Sequence, residues 1–239
     1  MERMGIILGA PNSVVVTRDS ANNTYEDRAR ELVELAKING WGCDEMPPPK
    51  AMNKVDIESS MRVQGVPERI VFTFSPLYKL KETTALKAVN LFMTKPRDAW
   101  CLVLAGPKGC GKSTAAARYL WEDTASRTAS PPKTQRWWTA AKVSRVSSFN
   151  DELEKLMETA VLVIDDLGVE YMDKGGHFSH RLDELIDYRY SNYRKTIITT
   201  NLNKKDFNSR YGVRVTDRIR EGFKHGGDYK EIDEKSLRV

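Results

Sequence analysis

The sequence predicts an α/β domain built on a mainly parallel sheet flanked by helices, with a small additional N-terminal region. Three observations predict it. Gly106-Pro-Lys-Gly-Cys-Gly-Lys-Ser113 fits the phosphate-loop pattern G-x-x-x-x-G-K-[ST]. An apolar lead-in, Cys101 to Ala105, and a small-residue lead-out, Thr114 to Ala117, give it strand–loop–helix flanks. Second, five apolar residues from Ala160 to Ile164 run into Asp165 and Asp166, the pattern of a central parallel strand ending at a site. Third, strand-like runs alternate with helical stretches through Asn201, as in α/β domains.

Composition sets the bounds. A chain of 239 residues allows one large domain, or one domain with a smaller appendage. The formal net charge of +5 permits nucleic-acid contact without requiring it. Three cysteines, Cys43, Cys101 and Cys110, are too few and too scattered for a disulfide framework or a zinc site. They point to a reducing compartment. No apolar run reaches transmembrane length, so a soluble, cytoplasmic protein with no membrane partner is expected.

In chain order, Gly5 to Leu8 and Ser13 to Thr17 suit short strands, and Thr24 suits the cap of a helix that stops near Gly40. That helix carries an apolar stripe that must dock on its own chain or on a partner. Pro47-Pro48-Pro49 makes a stiff connector. The expected division is residues 1–60 as a partner-binding region and 61–239 as the nucleotide-binding domain. Ile70 to Phe74 is β-prone. Thr83 or Thr84 caps a helix with Leu86, Val89, Phe92 and Met93 on one face, stopped by Lys95-Pro96. The helix after the phosphate loop runs to about Trp121. Residues 124–136 read as an exposed loop, Trp137 to Ala141 as a second strand, and Phe149 to Met157 and Arg181 to Tyr190 as helices. Thr196 to Asn201 is a further strand with a polar end.

The phosphate loop carries the chemistry. Its run from Gly106 through Pro107, Lys108, Gly109, Cys110, Gly111, Lys112 and Ser113 to Thr114 is the expected nucleotide-contacting set. Backbone N–H groups wrap a β-phosphate, with the positive end of a helix behind them. Lys112, expected to be an exposed arm, reaches the β- and γ-phosphates, and Ser113 offers a hydroxyl to Mg²⁺. Asp165, at a strand end, is the natural second Mg²⁺ ligand. Asp166 is placed to orient an attacking water, with Glu170 as a weaker candidate. Asn201 can bond that water or the γ-phosphate. From Arg189 to Lys224 ten basic residues stand against three acidic ones. That segment suits a solvated basic face, a nucleic-acid surface, or an arginine offered to a neighbouring subunit. Within it, Asp217 and Glu221 are spaced to pair with Arg214 and Arg218.

The order and spacing of GVPER (65–69), ALKAVNLF (85–92), GPKGCGKST (106–114), VLVIDDLGVE (161–170), TIITTNL (196–202), YGVRVTDRIREG (211–222) and SLR (236–238) resemble the AAA+ ATPases of the DnaC/DnaI helicase-loader and IstB transposition-helper group. The resemblance covers about residues 65–238. It implies an AAA+ (ASCE) P-loop ATPase with a five-stranded mainly parallel sheet, using ATP and Mg²⁺. It implies Asp165 as the Mg²⁺ ligand, Asp166 for water and Asn201 as sensor 1. Arg218 is implied as arginine finger, with Arg214 next in line, and Arg238 as a sensor 2 arginine. Asp166 replaces the glutamate most such proteins carry, which suggests slow hydrolysis suited to a switch.

The partners implied are a replicative DNA helicase, gripped by the N-terminal region, single-stranded DNA, and further copies of the chain in a ring or spiral. Lys142, Arg145, Phe149, Tyr171 and Lys174 flank the Mg²⁺ strand, where loaders line their DNA pore. A transposition helper, with duplex DNA and a transposase as partners, is the near alternative. A P-loop kinase of a small acceptor is the distant one.

Overall fold

Five parallel strands set the frame: β1 (Cys101–Ala105), β2 (Gln135–Thr139), β3 (Val161–Leu167), β4 (Lys195–Thr200) and β5 (Asp228–Glu231), side by side in the order β2-β3-β4-β1-β5. Every pairing is parallel. The computed structural model describes residues 54–74, 80–96, 98–126, 134–146, 151–170, 176–224 and 226–237. The strands and helix expected before residue 50 lie outside them. Among the described residues no helix is long and apolar enough to cross a membrane.

The apolar runs become strands because both faces of the sheet are covered. Leu102 and Leu104 of β1, Val161 and Val163 of β3 and Ile197 of β4 join one core cluster. It is filled by helices α1 (Lys54–Val63), α2 (Glu68–Val71), α3 (Thr84–Met93) and α4 (Lys112–Ala125). Cys101 and Val103, Leu162 and Ile164, and Ile198 point to the other face. There they meet the short α5 (Ala140–Val143) and helices α6 (Glu152–Glu158), α7 (His177–Ser191) and α8 (Lys204–Lys224). Strand β5 escapes the sequence pattern because it is an edge strand of mixed, half-exposed residues paired only with β1.

One expectation changes. The β-prone segment Ile70 to Phe74 is α2 followed by a 3₁₀ turn, Phe72–Phe74. Ile70, Val71 and Phe74 are buried while Phe72 is 57% exposed, so burial follows a helical face and not strict alternation. Phe74 also stacks on Trp121 of α4, with ring centroids 5.0 Å apart. Helix α1 runs across residue 60, and its Ile57 and Met61 are part of the first core cluster. Elsewhere the expected elements stand with shifted ends. Thr83 caps α3 by accepting from Leu86 N at 3.1 Å. The expected loop at 124–136 is shortened from both sides, by α4 and by β2.

Helix α8 contains a kink at Gly212, whose φ of 73° and ψ of 172° interrupt the helical backbone. At the opposite end of the sheet from the phosphate loop, Arg189 of α7 is fully buried, with no carboxylate partner among the described residues. Its guanidinium donates to the carbonyls of Leu156, Met157, Thr159 and Lys195 and to Thr196 Oγ1, at 2.6–3.2 Å. One side chain thus ties the end of α6 to the starts of β3 and β4. Burial pulls its pKa down to about 9, which still leaves a cation at neutral pH. Arg189 therefore does not contribute to a basic surface.

Removing this fork strands several buried carbonyls, each worth about 1–3 kcal/mol when unsatisfied. Arg189→Met is expected to lower the unfolding free energy by at least ~3 kcal/mol in urea titrations. Arg189→Lys is expected to recover only part of it, because an ammonium cannot reproduce the planar fork.

Candidate active site

Strand order brings the chemistry together. Because β4 lies between β1 and β3, the loop after β1, the end of β4 and the end of β3 meet at one edge of the sheet. Ser113, the second residue of α4, donates from Oγ to Asp165 Oδ1 at 2.8 Å. Thr199 of β4 donates to the same oxygen at 2.6 Å. Asp165 is 4% exposed, and burial raises its pKa while the two hydroxyl bonds oppose that rise. A hydroxyl and a carboxylate this close form a hard-oxygen donor pair of the kind that suits Mg²⁺, which typically keeps most of its ligands as water and phosphate. The described residues hold no group of three or more His, Cys, Asp or Glu arranged for a metal, so a cation here depends on this pair and on ligands from outside the protein.

Asp166 reaches the cleft through a bulge. Ile164 pairs with Ile198 and Leu167 with Thr200, so three steps on β3 match two on β4. Asp166 occupies the extra position with φ of 57°. Regular alternation would send neighbouring side chains to opposite faces, and a bulge re-aims one of them. The turn is held by Asp166 N, which donates to Thr199 Oγ1 at 2.9 Å, and by Val169 N, which donates to Asp166 O at 3.3 Å. Asp166 lines a cleft of about 790 Å³ together with Lys108, Gly109, Gly111, Lys112, Ser113, Thr114 and Asn201.

Lys112 is not an exposed arm. It is 6% exposed, and its Nζ donates to Gly106 O at 2.8 Å, to Pro107 O at 2.7 Å and to Asn201 Oδ1 at 3.1 Å. The glycine-rich loop folds its own carbonyls around the ammonium. The Asn201 contact joins the expected sensor directly to the phosphate-binding lysine.

Glu170 is tied into the fold by several donors. It is 3% exposed and carries four donors. Arg210 Nε and Tyr211 Oη donate to Oε1 at 2.9 and 2.8 Å, Gly168 N donates to Oε2 at 2.6 Å, and Arg210 Nη2 donates to the Glu170 carbonyl at 2.9 Å. With its acceptors occupied, it fastens the turn after β3 to α8.

The arginines fall elsewhere. Arg214 and Arg218 share a face of α8 but pair with α7 and not with Asp217 and Glu221. Arg214 meets Asp183 at 3.1 Å and Asp187 at 3.6 Å, and Arg218 Nε donates to Asp187 Oδ1 at 2.8 Å. Asp217 instead accepts from Arg220. Neither Arg214 nor Arg218 lines the cleft of its own chain. Arg238 lies outside the described residues.

The cleft has walls the sequence reading missed. Arg69, Ile70 and Thr73 line it, as do Leu80 and Leu86, and although the GVPER and ALKAVNLF motifs fall here, neither marked these side chains as parts of the site. Thr199 went unnoticed inside TTN. Residues 232–237 also cross the loop: Ile232 N donates to Ala105 O at 2.8 Å and Leu237 N to Gly109 O at 2.9 Å. Between them Glu234 Oε1 accepts from Thr84 N and Oγ1 at 2.8 and 2.6 Å.

This geometry separates two carboxylates. Asp166→Ala is expected to keep its melting temperature and lose about 10²–10⁴ in ATP turnover, the scale of a lost proton-handling group. Glu170→Ala is expected to melt lower, since it leaves buried donors unpaired. Scanning calorimetry beside a steady-state assay distinguishes them. An Asp166→Ala protein with full turnover would remove that residue from the chemistry.

Residues 57–239 match the family model of the IstB-like ATP-binding proteins. Among curated protein sequences none matches the chain. Among solved structures, the DnaC helicase loader superposes with a TM-score of 0.52 at 23% identity, covering 71% of this chain and all of that one. DnaI superposes with a TM-score of 0.52 at 19% identity, covering 72% of this chain and 94% of its own. At such identities the likeness is one of fold, and the family match joins it to the ATP site described above. The chain belongs to the IstB-like ATP-binding proteins and is a P-loop ATPase with the AAA+ fold.

Proposed function

We propose that this ATPase is a nucleotide-dependent loader of a replicative DNA helicase, working on single-stranded DNA as an assembly of several copies. The observation that carries the reading is the split of the site: Lys108, Gly109, Gly111, Lys112, Ser113, Thr114, Asp166 and Asn201 line one cleft, while Arg214 and Arg218 do not line it and pair with acids of α7. The cleft takes ATP with Arg69 as the arginine its own chain brings to the wall, and in this reading a second copy supplies Arg218. The likeness to the DnaC loader fold supports the choice among AAA+ functions.

In this reading the loop amides and Lys112 hold the β- and γ-phosphates, and Asn201 aligns the lysine. Ser113 and Asp165 hold Mg²⁺, which supplies charge neutralisation at the phosphates. Asp166 orients water from a short side chain, which favours slow turnover. Arg218 is the finger and Arg238 the sensor 2 arginine. Residues before α1 grip the helicase, and the protein acts in the cytoplasm. Lys142 and Arg145 are exposed after β2, with Lys142 Nζ 4.1 Å from the centroid of the Trp138 ring, and they contact DNA phosphates. Phe149, Tyr171 and Lys174, expected to share that surface, lie outside the described residues. A second reading, compatible with the match to the IstB-like ATP-binding proteins, is a transposition helper, which differs in taking duplex DNA.

Turnover measured with single-stranded DNA, duplex DNA and no DNA tests the choice. A loader is expected to respond to single strands several-fold more than to duplex, and stimulation by duplex alone would favour the transposition helper. A double Lys142→Ala, Arg145→Ala variant is expected to flatten the salt dependence of single-strand binding by about 1.4 in log–log slope, from about 0.7 per lost phosphate contact. An unchanged slope removes this surface from the DNA path.

A further inference from the structure

The two arginines at the α7–α8 surface are held in different ways. Arg214 turns both terminal nitrogens to carboxylates, Nη1 to Asp183 and Nη2 to Asp187, with its side chain 63% exposed. Arg218 uses only Nε, which donates to Asp187 Oδ1 at 2.8 Å. Among the described residues its Nη1 and Nη2 have no hydrogen-bond partner. Its guanidinium lies over the Tyr190 ring, 4.9 Å from the centroid.

The support beneath it is rigid. The Tyr190 ring meets Trp100 edge-on at 6.0 Å between centroids. Trp100 is 1% exposed. Gly222 of α8 closes the stack from above: a Cβ there would stand 2.6 Å from Trp100 Nε1, so any larger residue pushes the arginine helix off its seat. A guanidinium fixed by Nε along one edge and by a ring on one face presents its terminal pair outward. That pair is the end of the fork that binds two oxygens of a phosphate.

We propose that Asp187 and Tyr190 are positioning residues that set Arg218, and not Arg214, as the arginine offered to the ATP of a second copy of this chain. This rests on the reading in which the arginine acts between copies. Asp187 draws on the Nε edge and leaves the phosphate-binding nitrogens free. Tyr190 removes most of the rotamer freedom that a long side chain otherwise loses on binding. Arg214 keeps Asp187 in place from the other carboxylate oxygen.

The test uses mixtures of two inactive chains. One carries Lys112→Ala, a dead cleft with an intact arginine, and the other carries Arg218→Ala, the converse. Circular dichroism checks the fold, and Asp165→Asn serves as a second dead cleft if Lys112→Ala misfolds. If neither mixture regains turnover, the arginine does not act between copies, and the proposal falls with that reading. If turnover returns, Asp187→Asn is added to one chain at a time. On the arginine-donating chain it is expected to lower kcat by on the order of 10- to 100-fold with KM for ATP unchanged, the scale of a misplaced group. On the cleft-donating chain it is expected to change nothing. Asp187→Glu on the donating chain should recover part of the loss, and Tyr190→Leu should repeat it. Equal losses on either chain, or no loss on the donating chain while Arg218→Ala remains inactive, would overturn the positioning role without touching the reading beneath it.

Discussion

One carboxylate oxygen ties the working edge of this molecule together. Asp165 Oδ1 accepts from Ser113, at the start of α4, and from Thr199, on β4, while belonging to β3 itself. Three separate chain segments converge on an atom shielded from water. A carboxylate is costly to bury without such donors. The strand order, with β4 between β1 and β3, is what makes the convergence possible. The bulge at Asp166 then follows from Thr199, whose hydroxyl donates to one aspartate while accepting from the backbone of the next.

The sequence made the fold legible wherever burial is two-sided. Strands β1 and β3 carry apolar runs, and β4 buries Ile197 and Ile198, because helices cover both faces, and such residues stand out without any knowledge of tertiary contacts. Strand β5 was not legible, since an edge strand with half-exposed Asp228, Tyr229, Lys230 and Glu231 resembles a polar loop. Ile70 to Phe74 misled because β-branched and aromatic residues suit a buried helical turn as well as a strand once Trp121 is there to receive Phe74.

The candidate site was legible in its residue types and less so in its partners. Gly-rich loop, paired aspartates and strand-end asparagine mark themselves, because their chemistry requires those residue types at that spacing. The acids that meet Arg214 and Arg218 did not. Spacing along one helix suggests Asp217 and Glu221, yet Asp183 and Asp187 on α7 lie closer, and only packing of the two helices reveals it. The same holds for Arg189, counted with a basic segment and found at the centre of a carbonyl cage. Charge counted along a sequence measures surface only when the side chains reach it.

The segment that crosses the phosphate loop joins early and late parts of the chain. Glu234 holds the start of α3 through Thr84, a partner 150 residues away in sequence, and its neighbours on either side bond the end of β1 and the loop itself. During synthesis the loop therefore emerges long before the residues that brace it, and long-range closure of this kind is a late event in folding. A nascent chain holding β1, β3 and β4 has the phosphate-binding parts without their clasp. Nucleotide affinity is then expected to develop only after residues 232–237 have emerged and closed over the loop.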